Sequence, residues 1–233
     1  MDRLFVAESM GVSFYGKTVL KSASLWASPG RITAVMGRNG SGKTTLFRAA
    51  LGLVGRDFGT VTFGSRILLD PRLHQLAMWG LFYLPDSSLL SRRRTLQWHL
   101  SLLKTRFPKG VRTGWPQGLE VEPLLKKTSW EMSGGEERRA EFALAWARNS
   151  SCLLADEPLA GLAPKDQEVV SGVIRTMADE GCAVVVTGHD VRPLMDLADE
   201  IVWMVSGTTH GIGSPGEARN HDQFRREYLG PGF

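Results

Sequence analysis

The run Gly37-Arg38-Asn39-Gly40-Ser41-Gly42-Lys43-Thr44 places a glycine, four residues and then Gly-Lys-Thr directly after the apolar stretch Ile32 to Met36 and before the helix-like Thr45 to Leu53. Strand, glycine loop and helix in that order predict a phosphate cradle. The glycines let backbone N–H groups close around phosphate oxygens, and the helix start adds the positive end of its dipole. Lys43 brings a point charge to the outer phosphates, and the Thr44 hydroxyl offers a ligand for Mg²⁺. Further along, Cys152-Leu153-Leu154-Ala155-Asp156-Glu157-Pro158 is an apolar strand ending in two carboxylates. Charge at the end of a core strand is costly unless something compensates it. A metal and a reacting water would do so: Asp156 can hold Mg²⁺ directly or through water, and Glu157 can polarise the water that attacks a terminal phosphate. An acidic pair capping a strand at the surface is the plainer reading of the same residues.

Ser133-Gly134-Gly135-Glu136 opens a long helix whose face is Ala140, Ala143, Leu144 and Ala147, with Arg138 and Arg139 opposite. Ser133 with Glu136 three residues on makes a capping box. That alone is a well-capped helix, while the paired glycines also leave N–H groups bare for a second anion contact. His189 follows the apolar run Ala183 to Thr187. It is readable as a surface histidine or as a ligand-facing one, since ligands of open α/β sheets gather at the carboxyl ends of strands.

These residues need elements to hold them. Leu4 to Ala7, Val19 to Trp26, Arg31 to Met36 and Val61 to Phe63 read as short strands separated by turn signals. From Cys152 onward strand and helix alternate: Cys152 to Ala155, a helix over Pro164 to Glu180, Ala183 to Thr187, a helix over Val191 to Asp199, then Ile201 to Val205. That alternation predicts a parallel sheet covered by helices. Leu96, Leu100 and Leu103 give Thr95 to Arg106 a helical period, and a stretch broken by Pro108, Gly110, Gly114 and Pro116 follows it. The segment from Asp86 to Trp130 therefore reads as a small helical insertion, with Trp98, Trp115 and Trp130 as its core.

The 233 residues, with 28 Lys and Arg against 24 Asp and Glu, 42% hydrophobic and 22% charged, exclude a disordered or fibrous chain. The net charge of +4 is scattered except at Arg92-Arg93-Arg94, so no nucleic-acid partner is expected. That triplet is readable as a solvated face, a partner contact or an attraction to anionic lipid. No apolar run approaches the roughly 18 to 20 residues that span a bilayer. Cys152 and Cys182 read as buried reduced thiols and give a cytoplasmic expectation.

Taken in order, the motifs resemble those of the nucleotide-binding ATPase subunits of ABC transporters, over nearly the whole chain. Gly37 to Thr45 is similar to the Walker A loop, Met132 to Glu136 to the signature, Leu153 to Glu157 to the Walker B strand, and Thr187 to Asp190 to the histidine switch. The tail Arg225-Arg226-Glu227-Tyr228-Leu229-Gly230 resembles the ATPases of lipopolysaccharide export and branched-chain amino-acid import. The resemblance implies the ABC ATPase fold: an α/β P-loop NTPase core with an antiparallel β subdomain (1–85 and 131–233) and an inserted α-helical subdomain (86–130), a single domain over 1–233. It implies ATP and Mg²⁺ as cofactors. Lys43, Glu157 and His189 then stand at catalytic positions. Gly37, Asn39, Gly40, Ser41, Gly42, Lys43, Thr44 and Thr45 would hold the phosphates, Tyr15 would stack on adenine, and Thr44, Asp156 and Asp86 would ligate the metal. Ser133, Gly134 and Gly135 would clamp the γ-phosphate bound by an opposite subunit, so the working unit is a homodimer or a heterodimer with a related ATPase, seated on transmembrane permease subunits at the cytoplasmic face.

The chain departs from that pattern at three places, of which Met132 for the usual signature leucine is a near volume-conserving swap with little expected effect. Asp86 stands where the family has a glutamine, and a carboxylate there binds a hard metal but repels γ-phosphate in its absence. Ala163 stands where the family has the aspartate of the D-loop. The departures at Asp86 and Ala163 motivate a rival reading, an ATP-gated non-transport or regulatory dimer with weak hydrolysis.

Overall fold

The computed structural model describes residues 3–108 and 110–230, so the expected span of 1–233 runs past it at both ends. The opening strands β1 (Phe5–Phe14) and β2 (Lys17–Ala27) pair antiparallel, Phe5 opposite Ala27 and Phe14 opposite Lys17, turning at Tyr15-Gly16. Both turn residues have positive φ, which only Gly16 adopts without strain. β3 (Ile32–Met36) is buried at all five residues, as a strand covered on both faces must be. After it come α1 (Lys43–Ala50), β4 (Phe58–Phe63), β5 (Arg66–Leu68), α2 (Leu73–Met78), β6 (Leu81–Leu84) and α3 (Leu96–Arg106). The second half runs α4 (Gly134–Arg148), β7 (Cys152–Ala155), α5 (Pro164–Asp179), β8 (Ala183–Gly188), α6 (Val191–Leu197), β9 (Glu200–Val205), β10 (Thr208–Gly213), α7 (Pro215–Asn220) and α8 (Asp222–Phe224). A π-helical turn, Arg225–Leu229, ends it.

The strands order as β5-β4-β1-β2-β10-β9-β3-β8-β7-β6. The β1, β2, β4 and β5 part is antiparallel, and β9, β3, β8, β7 and β6 run parallel. One register pair, Thr208 with Ser22, joins the two parts, helped by Lys21 N–H to Gly207 O at 2.9 Å and Ser24 N–H to Thr209 Oγ1 at 2.7 Å. Alternate residues of the parallel strands face opposite layers. Val35, Leu154 and Val185 pack with Leu46 and Phe47 of α1, while Ala34, Leu153 and Val184 pack with residues of α4 and α5. Parallel register aligns the carboxyl ends of β3, β8, β7 and β6 at Met36, Gly188, Ala155 and Leu84. The loop after each carries one of the sequence-predicted groups.

Several boundaries move for local reasons. The helix expected over Val191 to Asp199 stops at Leu197, because the Asp199 carboxylate accepts the Ile32 N–H at 2.7 Å and a bidentate pair from Arg175 at 3.2 Å. The insertion holds one α-helix, α3, and two 3₁₀ turns, Glu122–Leu124 and Ser129–Glu131, linked by a bridge from Thr95 to Thr128. Its tryptophans correct the core expectation: Trp115 packs on the core, but Trp98 is 41% and Trp130 75% exposed. Arg94 and Arg92 lie over those two rings, their guanidinium carbons 5.1 and 5.6 Å from the centroids, so cation–π pairing takes the place of burial. Arg138 and Arg139 are likewise no solvent face, since Arg138 pairs with Glu141 and Arg139 with Glu120 and Asp166. Both cysteines are buried and reduced, and burial raises the Cys182 thiol to about 12.

Candidate active site

The glycine loop is shaped by its neighbours. A Cβ at Gly37 would sit 2.4 Å from the Met204 carbonyl, and one at Gly42 2.8 Å from both the Leu20 and Met204 side chains. Gly40, at φ +78°, faces open space at the tip, where a phosphate can approach the backbone closely. Gly42, at φ +112°, starts α1 and leaves its first N–H groups without a side-chain cap. Ser41 is buried and its Oγ has no hydrogen-bond partner.

Lys43 folds back into the loop. Its Nζ donates to Gly37 O at 2.8 Å and stands 3.3 Å from Glu157 Oε1. The other carboxylate oxygen, Oε2, lies 3.0 Å from His189 Nδ1. Glu157 is thus held with one oxygen against Lys43 and the other against His189, on a backbone at φ +48° that a β-branched residue would resist. The Thr187 hydroxyl fixes the turn: it donates to Asp156 Oδ1 at 2.6 Å and accepts the Glu157 N–H at 2.8 Å. Spacing does not single out Thr187. Only the pairing of β7 with β8 brings it to the Asp156 carboxylate and the Glu157 backbone.

Asp156 is buried, and its Oδ2 accepts nothing. Desolvation raises its carboxyl above the usual range, partly offset by hydrogen bonds from Thr187 and Thr44 and reinforced by the Asp86 and Glu157 charges. A divalent cation at Oδ2 would relieve that penalty, so the residues fit Mg²⁺. Among the described residues no three His, Cys, Asp or Glu side chains form a metal cage. Asp86 lies at the half-exposed rim, 3.6 Å from Arg48 Nη2 and accepting the Ser87 N–H at 3.0 Å. Arg48 is a partner that the motif reading does not include.

Tyr15 is fully exposed at its turn, and four residues on Val19 and Leu20 abut Gly42. Ser133, Gly134 and Gly135 lie at the start of α4. Their capping box is complete, Ser133 Oγ accepting the Glu136 N–H at 3.2 Å and Glu136 Oε2 the Ser133 N–H at 2.9 Å, and Glu136 pairs with Lys127 at 2.7 Å. The phosphate loop, Thr44, Asp156, Glu157 and His189 therefore come together at the carboxyl ends of the parallel strands, whereas the Ser133 segment meets Lys127 and Asp166.

The family model described as ABC transporter matches residues 20–160, from within β2 to past Glu157. The chain belongs to the ABC transporter family. It is an ATP-binding, ATP-hydrolysing cassette of that family. It is 31% identical to the lipopolysaccharide export system ATP-binding protein LptB of Haemophilus influenzae, over 99% of this chain and 98% of that protein. It is 32% identical to the zinc import ATP-binding protein ZnuC of Halorhodospira halophila, over 99% and 86%. Among solved structures, the ADP conformation of the ABC transporter cassette MJ1267 superposes with a TM-score of 0.80 at 21% identity, covering 94% of each chain. The expected ABC ATPase fold is therefore borne out. Among the described residues no helix is long and apolar enough to cross a membrane.

Proposed function

We propose that this ABC cassette powers a separate transmembrane partner by ATP-driven closure of a dimer, with Glu157 polarising the attacking water. The observation that carries the reading is the placement of Glu157, one carboxylate oxygen against Lys43 and the other against His189, with its turn pinned by Thr187. An incoming γ-phosphate competes for Lys43. Once Lys43 turns to it, Oε1 is free to accept a proton from water while Oε2 stays fixed on the imidazole. Gly37, Asn39, Gly40, Ser41, Gly42, Thr44 and Thr45 line the phosphate path, Tyr15 offers a ring to adenine, and His189 faces the terminal phosphate. Thr44 and Asp156 would hold Mg²⁺, with Asp86 at the rim as a third ligand. When held there, Mg²⁺ would offset phosphate charge.

One chain presents one phosphate loop and one Ser133-Gly134-Gly135 segment on separate lobes, so two chains head to tail complete two sites. Residues 86–130 then act as the subdomain that meets the permease, through the face formed by Arg92, Arg94, Trp98 and Trp130, on the cytoplasmic side of the membrane. The test is steady-state ATP hydrolysis by the full chain with Mg²⁺, beside Glu157→Gln. The expected result is a loss of on the order of 10²-fold or more in the variant with ATP binding retained, and an ATP-dependent dimer of the variant on a sizing column. Undiminished turnover in Glu157→Gln removes the base; a variant that stays monomeric with saturating ATP removes dimer closure. A wild-type chain that binds ATP, dimerises and does not turn over favours the regulatory dimer, which the Asp86–Arg48 pair at the rim would support.

A further inference from the structure

The tail Arg225–Leu229 takes no part in the chemistry above, yet it touches two of its loops. The Tyr228 hydroxyl donates to the His189 main-chain carbonyl at 3.1 Å. One residue earlier, the Glu227 carbonyl accepts from Arg38 Nη2 at 3.0 Å. The tail is held from beneath. Phe224, completely buried, packs edge-on against Trp203 of β9 at 5.6 Å, and the Tyr228 ring stacks on Phe224 at 5.3 Å. An open cleft of about 410 Å³ lies between the loop tip, the β9–β10 turn and the tail.

His189 is thereby gripped at both ends. Its ring is on Glu157 and its carbonyl is on Tyr228. The loop after β8 is otherwise short, running straight from Gly188 into α6, and Gly37 already donates to Gly188 O at 3.3 Å. A peptide free to rotate at His189 would swing the imidazole relative to the carboxylate, and a shift of that size is what catalytic geometry tolerates least. We propose that Tyr228 is a positioning residue for His189, so that the docked C-terminal turn sets the histidine ring against Glu157. The inference rests on the hydrolytic reading of Glu157 and His189.

Tyr228→Phe removes the hydroxyl and keeps the ring stack, so the chain is expected to fold with a melting temperature within a few degrees of wild type. Loss of one such bond is expected to lower kcat about tenfold, with KM for ATP unchanged within about twofold because the phosphate loop keeps its own backbone bonds. In a His189→Ala background the same change is expected to have no further effect on the residual single-turnover rate, since the group it positions is gone. Amide exchange over residues 187–191 of the full chain is expected to rise in Tyr228→Phe and that over α1 to stay the same. An unchanged kcat, a KM that moves with it, multiplicative losses with His189→Ala, unchanged exchange at 187–191, or a melting point lowered by about 10 °C or more overturns the proposal. Failure of the underlying reading is separate and visible: it shows as full activity in Glu157→Gln, whatever Tyr228 does.

Discussion

Glu141 shows how the balance of terms at one residue becomes a property of the protein. It is 2% exposed in α4, pairs with Arg138 at 3.1 Å and accepts the Leu89 N–H at 2.6 Å, both of which favour the charged form. Burial outweighs them and, with the nearby Glu137 charge, pushes the carboxyl from 4.5 to about 7. The folded chain therefore binds a proton there more tightly than the unfolded chain, and the stability this contributes is complete below about pH 4.5 and lost as pH rises through about 7. Glu141→Gln keeps the acceptor for Leu89 and cannot titrate. Relative to wild type its stability is expected to improve by about 2 to 3 kcal/mol between pH 5 and pH 8, read from urea midpoints at the two values. A difference that is flat with pH places the carboxylate's proton elsewhere. The same contest between burial and partners explains Asp156, where the hydroxyls of Thr187 and Thr44 offset only part of the desolvation.

At the scale of elements, the start of α4 is set by a close fit rather than by propensity. A Cβ at Gly135 would lie 2.1 Å from Asp166 Oδ2, and Asp166 in turn holds Arg139 at 3.3 Å, joining α4 to the first turn of α5. Alanine is the better helix former by up to about 1 kcal/mol, but here the clash prevails. Gly135→Ala is expected to destabilise by roughly 1 to 3 kcal/mol, and a second change, Asp166→Ala, to recover part of that in a thermal melt; a single variant as stable as wild type would mean the helices part freely. How far the sequence reveals an element depends on where its stabilising contacts lie. β3, β7, β8 and α5 were legible because buried runs, a first-turn proline and helical spacing are local signals. β6 and β10 were not, because Leu81–Leu84 and Thr208–Gly213 become strands only by pairing with β7 and β9. α7, which the sequence reading does not include, starts at a complete capping box of Ser214 and Glu217. In the site, the motif residues were legible, whereas Thr187, Arg48 and Tyr228 act through chain segments 30 or more residues distant from their partners.

Across the whole molecule the two halves of the ten-stranded sheet share few backbone hydrogen bonds, those at Thr208 and Ser22 and beside them. The apolar cores do not divide that way: one runs from Phe5, Leu25 and Phe63 of the antiparallel strands through Leu46 and Phe47 of α1 to Val35, Leu154 and Val185 of the parallel ones, so packing ties the part that carries Tyr15 to the part that carries Glu157. The insertion adds a third surface, and its arginine-covered indoles lend it an optical property. Of the seven tryptophans, Trp130 and Trp98 are the most open to water, while Trp146 and Trp203 are buried. A guanidinium over each open ring concentrates anions and repels cations at the fluorophore. Iodide is therefore expected to quench the red edge of the emission more strongly than caesium at equal concentration, with the gap closing as inert salt is added; equal quenching by the two ions would mean that the arginines stand away from the rings in solution. If the proposed membrane subunit sits on that face it would shield both indoles, and the chain would then carry its own fluorescent gauge of partner occupancy, readable without a label.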